Sequence, residues 1–308
     1  MKNVIITGAT SFIGIHLVNT LLKYDYSITA VVRPNSKNVS NLSKNNRIHV
    51  VELDMQEIQR LPDIVQCKSY DVFYHLAWEG VRAPHRDDIL IQLLNYEATV
   101  KAFETANVLN CKIFIGSGSQ AEYGRCLGKI TEEYNAEPLT EYGKSKLLSY
   151  NTLYNLADKL NIKFKWVRIF SAYGIHDNEN TLIMTSLKKM VQNEEILLTE
   201  CTQKWDFINV EDIANVLHML VSYECEDGVY NVASGITKEL KEYIYEMKRL
   251  TKSNSKLMFG AVEYGQEGVI SFEPVVEKLI RNFNWECKVS FKEGVLKLLQ
   301  YIEQDGNI

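Results

Sequence analysis

The sequence contains no CxxC pair and no HxxxH or HExxH motif. Its six cysteines (Cys67, Cys111, Cys126, Cys201, Cys225 and Cys287) and its six histidines are scattered, which gives no metal-ligand spacing. Buried or incidental thiols in a reducing compartment are the expected meaning, and no metal is expected. There is no excess of basic residues either. The 34 Lys and Arg against 39 Asp and Glu leave a formal charge of −5, which argues against a general nucleic-acid binder. A few local cations would still suffice for an anionic small substrate. No apolar run approaches the length of a membrane span, and MKNVIITG leads into a strand pattern rather than a signal-peptide core. Internal repeats and low-complexity linkers are absent as well. The expectation is a soluble, cytoplasmic protein with no metal, membrane or nucleic-acid partner.

What is present is enough apolar residue, 46% of 308, to bury the core of one large α/β domain or of two joined ones. Strand patterns fall at residues 2–6, 28–32, 48–52, 71–76, 112–117 and 164–169. Several are apolar at consecutive positions, as parallel strands buried on both faces are. Helical patterns at 12–23, 87–109 and 142–160 lie between them, which predicts a doubly wound parallel sheet of Rossmann type with right-handed crossovers. Residues 35–46 read as a polar loop with one weak helix. Beyond residue 172 the alternation becomes irregular, with helices expected at 181–192, 210–222, 238–250, 274–283 and 291–303 and a strand at 229–232.

Directly after the first strand comes Thr7-Gly8-Ala9-Thr10-Ser11-Phe12-Ile13-Gly14. A glycine here permits a tight turn and lets backbone approach a pyrophosphate seated at a helix N-terminus, and Gly14 lets that helix pack closely on the sheet. An ordinary strand–helix turn is the plain alternative. The placement between an apolar strand and an amphipathic helix is, however, the context a dinucleotide-binding turn requires. The second strand ends Val31-Val32-Arg33-Pro34-Asn35, and no Asp or Glu occurs between Ile28 and Lys44. An acid at this corner holds the ribose 2′-OH of NAD, whereas an arginine accommodates the 2′-phosphate of NADP. Arg33 therefore favours NADP(H), with NAD(H) possible; a solvated loop arginine is the other reading.

Tyr142-Gly143-Lys144-Ser145-Lys146 sets a phenol and an amine one helical turn apart on one face. A phenol with a pKa near ~10 works in acid–base catalysis at neutral pH only if a nearby cation stabilises phenolate. Lys146, helped by a positive nicotinamide, supplies that cation. Tyr142 would then exchange a proton with a substrate oxygen while the nicotinamide exchanges a hydride with the same carbon.

In their order and spacing these segments resemble the extended short-chain dehydrogenase/reductase family, which includes NAD-dependent epimerases and dehydratases of nucleotide-linked sugars. The first turn resembles the family's TGxxGxxG, with Ser11 replacing the middle glycine. The resemblance implies cofactor contacts from Gly8, Thr10, Ser11, Phe12, Ile13, Gly14, Arg33, Tyr142 and Lys146. It further implies Asp54 at the adenine amino group, and Leu76 and Ala77 of a His75-Leu76-Ala77 segment along the cofactor. Asn95 matches the helix asparagine that stabilises the central sheet and active-site wall. In Gly116-Ser117-Gly118-Ser119-Gln120-Ala121-Glu122-Tyr123-Gly124, Ser119 matches the serine that hydrogen-bonds the reacting oxygen, and Ser117 lies beside the nicotinamide. Ser119, Tyr142 and Lys146 thus form the implied catalytic set.

Later segments extend the resemblance over nearly the whole chain. Arg168-Ile169-Phe170-Ser171-Ala172-Tyr173-Gly174 is similar to RxFNxYG, with Ser171 at the substrate-touching asparagine. Trp205-Asp206-Phe207-Ile208-Asn209-Val210-Glu211-Asp212 is similar to RDFIHVDD, with Trp205 where the family's arginine binds the diphosphate and Lys204 just before it. Tyr230–Gly235, Asn282–Trp285 and Phe291–Gly294 match further family segments. The loop Trp78–Arg86 follows the fourth strand, where ligands bind in such sheets. Trp78, Arg82, Ser119, Ser171 and Lys204 are the substrate candidates. His85 and Arg86 belong to the same loop, for which a solvated role is the alternative, and His176 reads as a loop histidine without a role.

By resemblance, residues 1–172, completed by 207–233, form the NAD(P)-binding domain, and 173–206 with 234–308 form a smaller substrate-binding α/β region. Gln120-Ala121 stands where a dehydratase carries Asp-Glu, which disfavours dehydration. The leading expectation is NADPH-dependent reduction of a nucleotide-linked 4-keto-6-deoxy sugar. Alternatives are a 4-epimerase with tightly bound NAD, a reductase of a non-nucleotide carbonyl, and a non-catalytic NADP-binding sensor. A homodimer is expected through the helices at 87–109 and 142–160.

Overall fold

A computed structural model describes residues 1–67, 69–265 and 268–304. Lys68, Gln266, Glu267 and residues 305–308, which fall inside the expected regions, lie outside the described residues. Seven strands form one sheet: β1 (Lys2–Thr7), β2 (Tyr26–Val32), β3 (Ile48–Glu52), β4 (Val72–His75), β5 (Ile113–Ser119), β6 (Lys163–Ile169) and β7 (Gly228–Val232). Their order is β7-β6-β5-β4-β1-β2-β3. The pairs β1/β2, β1/β4, β2/β3, β4/β5 and β5/β6 are parallel. The chain is therefore the expected Rossmann-type α/β fold. Because β1 lies between β2 and β4, the strand order reverses there, and the crevice beyond the carboxyl ends at such a switch point is where ligands bind.

The apolar runs of β1 and β4 are buried on both faces, whereas β3, at the sheet edge, is largely exposed. Val4, Ile5, Ile6, Val72, Phe73 and Tyr74 are all fully shielded from solvent. Helices start where side chains satisfy their first N–H groups. Ser11 caps α1 (Phe12–Leu22), Asp88 caps α3 (Ile89–Val108) and Thr140 caps α4 (Glu141–Leu160). Asn161, in the left-handed region, ends α4. The four-residue α2 (Leu61–Ile64) and a 3₁₀ turn at Met55–Arg60, both too short to give a period, were not legible in the sequence.

The chain divides into two compact units. The first comprises Met1–Gly124, Tyr134–Ile169 and Ala214–Tyr230; the second comprises Arg125–Glu133, Phe170–Ile213 and Asn231–Ile308. An aromatic stack runs through the first, with Phe114 packed on Phe73 (5.4 Å between ring centroids) and edge-on to Phe103 (4.9 Å). Each such fully buried ring contributes about 1.5–3 kcal/mol through removal from water. In the second unit, α5 (Leu182–Val191), α7 (Leu240–Thr251) and α9 (Phe291–Gln304) enclose Ile183, Leu187, Met190, Ile244, Met247 and Leu298. The elements α6 (Val210–Ser222) and α8 (Glu277–Phe283) complete the helices. The last begins later than residue 274, because Glu273–Pro274 pairs with Lys129–Ile130 as a two-residue strand. Among the described residues, no helix is long and apolar enough to cross a membrane.

Candidate active site

Gly8 has a φ of +70°, and a Cβ there would lie 2.8 Å from the Ala77 nitrogen. The turn therefore bends where L side chains resist and passes directly over the exit of β4. A Cβ on Gly14 would lie 2.1 Å from the Gly8 carbonyl oxygen, so α1 starts as close to the strand as glycine allows. Ser11, the departure from the glycine pattern, has a φ of −75° and needs no left-handed backbone. Its Oγ accepts from the Gly14 N–H at 3.1 Å. That leaves the first-turn N–H groups of Phe12 and Ile13, which have no intrahelical acceptor, for an anion. The cradle fits a dinucleotide pyrophosphate. Thr10 stands beside it, with its hydroxyl 3.4 Å from that of Ser36.

At the neighbouring corner Arg33 is exposed. The structure adds a residue from outside the stretch between Ile28 and Lys44. Glu52 ends β3 opposite Val32, and its Oε2 accepts from the Asn35 N–H at 3.3 Å. A carboxylate thus reaches the end of β2 from the adjacent strand. Asp54 is exposed and caps the Met55–Arg60 turn through the Gln56 N–H at 2.8 Å. His75 is buried between Thr7 (Nδ1, 2.9 Å) and Thr99 (Nε2, 3.1 Å). Since the Thr99 hydroxyl donates to the Asn95 carbonyl at 2.8 Å, it accepts from His75, which assigns the proton to Nε2. Burial pushes His75 down to about 3, so it stays neutral. Leu76 is buried, and its N–H reaches the Thr7 carbonyl at 3.2 Å.

The loop after β4 is held from α3. Asn95 brackets Glu79, donating to its carbonyl at 2.8 Å and accepting from its N–H at 2.9 Å. Gln92, which the sequence did not single out, donates to the Gly80 and His85 carbonyls and accepts from Trp78 Nε1 at 2.9 Å. Asn95 thus holds this loop, and its backbone carbonyl accepts from Thr99, the partner of His75 at the end of β4. Its effect is to hold Trp78 in place, with the Lys146 ammonium 3.6 Å from the indole centroid. Arg82 is exposed on the same loop.

Ser119, Tyr142 and Lys146 come together in the first unit. A Cβ at Gly143 would meet the Ala121 carbonyl oxygen at 2.4 Å, so glycine there lets the start of α4 touch the turn that follows β5. The Tyr142 hydroxyl is hydrogen-bonded to Ser119. Lys146 Nζ donates to the Ser117 carbonyl at 2.6 Å, with the Ser117 hydroxyl at 3.4 Å, and is itself buried. Burial raises Tyr142 to about 12; the Ser119 hydrogen bond and the Arg86 charge pull the other way. Burial lowers Lys146 to about 7, and the negative charge of Glu122 opposes that fall. Arg86, from the loop after β4, and Glu122, which the motifs did not single out, are charged groups acting on this pair.

The remaining substrate candidates lie in the second unit. Ser171 and Trp205 line a cavity of about 570 Å³ with Leu182, Ile183, Leu198 and Phe207, a size suited to a small organic ligand. Lys204 does not line it; its ammonium pairs with Glu273 at 2.8 Å.

The NAD dependent epimerase/dehydratase family model matches residues 4–233. A CDP-abequose synthase of Salmonella muenchen is 28% identical over 98% of both chains. A dTDP-4-dehydro-6-deoxyglucose reductase of Escherichia coli is 25% identical over 98% of both. Among solved structures, a UDP-glucuronic acid 4-epimerase from Bacillus cereus in complex with NAD superposes with a TM-score of 0.84 at 20% identity, covering 98% of this chain and 99% of the other.

Proposed function

Since this chain belongs to the NAD dependent epimerase/dehydratase family, we propose that it is an NADPH-dependent reductase of a nucleotide-linked 4-keto-6-deoxy sugar. The observation that carries the chemistry is the Ser119–Tyr142 hydrogen bond beside the buried Lys146. A bound nicotinamide would supply the hydride. Tyr142, kept protonated by its burial, would deliver the proton to the carbonyl oxygen, Ser119 would hold that oxygen, and Lys146 would stabilise the phenolate left behind. Gly8, Thr10, Ser11, Phe12, Ile13, Gly14, Asp54, Leu76, Ala77 and Ser117 would hold the cofactor. In the second unit, Ser171 and Trp205 would bind the nucleotide sugar within their cavity. The reductive direction is supported by Arg33 and by likeness to a relative that reduces a dTDP-linked 4-dehydro-6-deoxy sugar by name.

Glu52 supports a second reading. Its carboxylate near Asn35 would suit the free ribose 2′-OH of NAD, and hence a 4-epimerase that oxidises and re-reduces its substrate. The deciding experiment offers NADPH or NADH with a panel of nucleotide-linked 4-keto-6-deoxy sugars. NADPH oxidation with formation of the 4-hydroxy sugar is expected, and Tyr142→Phe should lower kcat by about 10²–10⁴-fold while cofactor still binds. Epimerisation of a 4-hydroxy sugar with protein-bound NAD, and no turnover of keto sugars, would overturn the reductase. We further propose a homodimer through α3 and α4, which expose Leu90, Leu93, Leu94, Leu148 and Tyr154. A monomer in light scattering at micromolar concentration would reject it.

A further inference from the structure

Glu122 is fully buried in the turn after β5, yet it has no place in the proton transfer outlined above. Its carboxylate collects donors from two elements. The Ser119 N–H reaches Oε1 at 2.8 Å, Trp166 Nε1 lies 3.0 and 3.1 Å from the two oxygens, and Arg168 Nε reaches Oε2 at 2.7 Å. Arg168 is buried too, with its guanidinium 4.4 Å from the Tyr123 ring centroid and 5.6 Å from that of Tyr150. The fold makes room for this arrangement. Added Cβ atoms at Gly116 and Gly118 would lie 2.5 and 2.3 Å from the Trp166 indole. The two glycines of Gly116-Ser117-Gly118-Ser119 are thus complementary to Trp166, which in turn fixes Glu122.

A buried ion pair is a poor source of stability, because the desolvation of both charges offsets most of their attraction. A different reason for keeping it lies in what the carboxylate touches. Ser119 and Glu122 form a reciprocal capping box: Ser119 Oγ accepts from the Ala121 N–H at 3.2 Å while Glu122 accepts from the Ser119 N–H. Accepting from Ala121 orients the Ser119 hydroxyl, which still has its proton to donate. The groups facing Glu122 are Arg168 and Trp166 from β6, Tyr142, Lys146 and Tyr150 from α4, and Tyr123 beside it. The negative charge of Glu122 raises the pKa of both Lys146 and Tyr142.

We propose that Glu122 is a positioning residue: it fixes Ser119 through its backbone and supplies a negative charge that favours the protonated forms of Tyr142 and Lys146, from which the proton is delivered. This rests on the reductase reading for its direction, since a reductase must begin each cycle with the phenol protonated. The electrostatic part is independent of any reaction.

The test is a titration of Lys146 in the cofactor-free protein by NMR of ¹³Cε-labelled lysine, with Lys146→Met identifying the resonance. Glu122→Gln should lower the Lys146 pKa by about one unit or more, the scale of a nearby charge. Glu122→Asp, which keeps the charge, should leave it within a few tenths. If Glu122→Gln fails to fold with Arg168 unpaired, Glu122→Gln/Arg168→Met removes both charges, and the same fall is expected. An unchanged Lys146 pKa in either folded variant overturns the proposal. Failure of every keto sugar in the substrate panel, with Lys146 still shifted, would remove the reductase and leave the role of Glu122 standing.

Discussion

Replacing Lys146 by Met should make the protein more stable near neutral pH while destroying its activity. The ammonium is buried, and its pKa of about 7 compares with 10.5 for an exposed lysine. Between those values the unfolded chain binds a proton that the folded chain does not. Wild-type stability therefore rises with pH from about 7 to 10.5, and the full cost is present at and below pH 7. From pH 7 to 9 the linkage amounts to about 2 kcal/mol, taking 1.36 kcal/mol per unit and half-protonation of the folded amine at pH 7. Lys146→Met has no such term. Urea unfolding of both proteins without cofactor at pH 7, 8 and 9 should show the wild type gaining about 2 kcal/mol on the variant across the series. Parallel stability curves would refute the reasoning and mean that Lys146 is solvated as an ordinary amine.

Two further outcomes follow from buried groups. His75, held neutral at about 3, should make the protein acid-labile: between pH 6.5 and 5 the wild type should lose about 2 kcal/mol relative to His75→Gln in urea unfolding. Gly118→Ala places a methyl group 2.3 Å from Trp166 Nε1 and 2.5 Å from Glu122 Oε1, and should cost about 1–3 kcal/mol. Gly265→Ala meets nothing within 4 Å among the described residues and should stay within about 0.5 kcal/mol, which makes it the control in the same thermal melts.

The first half of the fold was legible because parallel strands buried on both faces are apolar at consecutive positions, and long helices between them carry a period. The helices at 12–23, 87–109 and 142–160 appear as Phe12–Leu22, Ile89–Val108 and Glu141–Leu160, with ends set by Ser11, Asp88 and Thr140. The two-residue strands of the second unit left no such signal. Ser11 shows how a departure from a motif is absorbed: the position needs a helix cap rather than a left-handed backbone. Glu122 did have a local signature, because Ser119-Gln120-Ala121-Glu122 is a capping box. Its buried partners, Trp166 and Arg168, lie more than forty residues away in the chain and carry no local signal.

By itself the sequence determined the strand–helix alternation, the glycine turn after β1 and the Tyr142–Lys146 spacing, since each is set by residues close in the chain. Distant partners belong to the tertiary structure alone. Glu52 reaches the end of β2 across a strand pair, Trp78 covers Lys146 because Gln92 and Asn95 hold its loop, and Trp166 and Arg168 meet Glu122 from β6. Burial, which sets the protonation of His75, Tyr142 and Lys146, is likewise a property of the packed molecule, because only the assembled neighbours remove water from those groups.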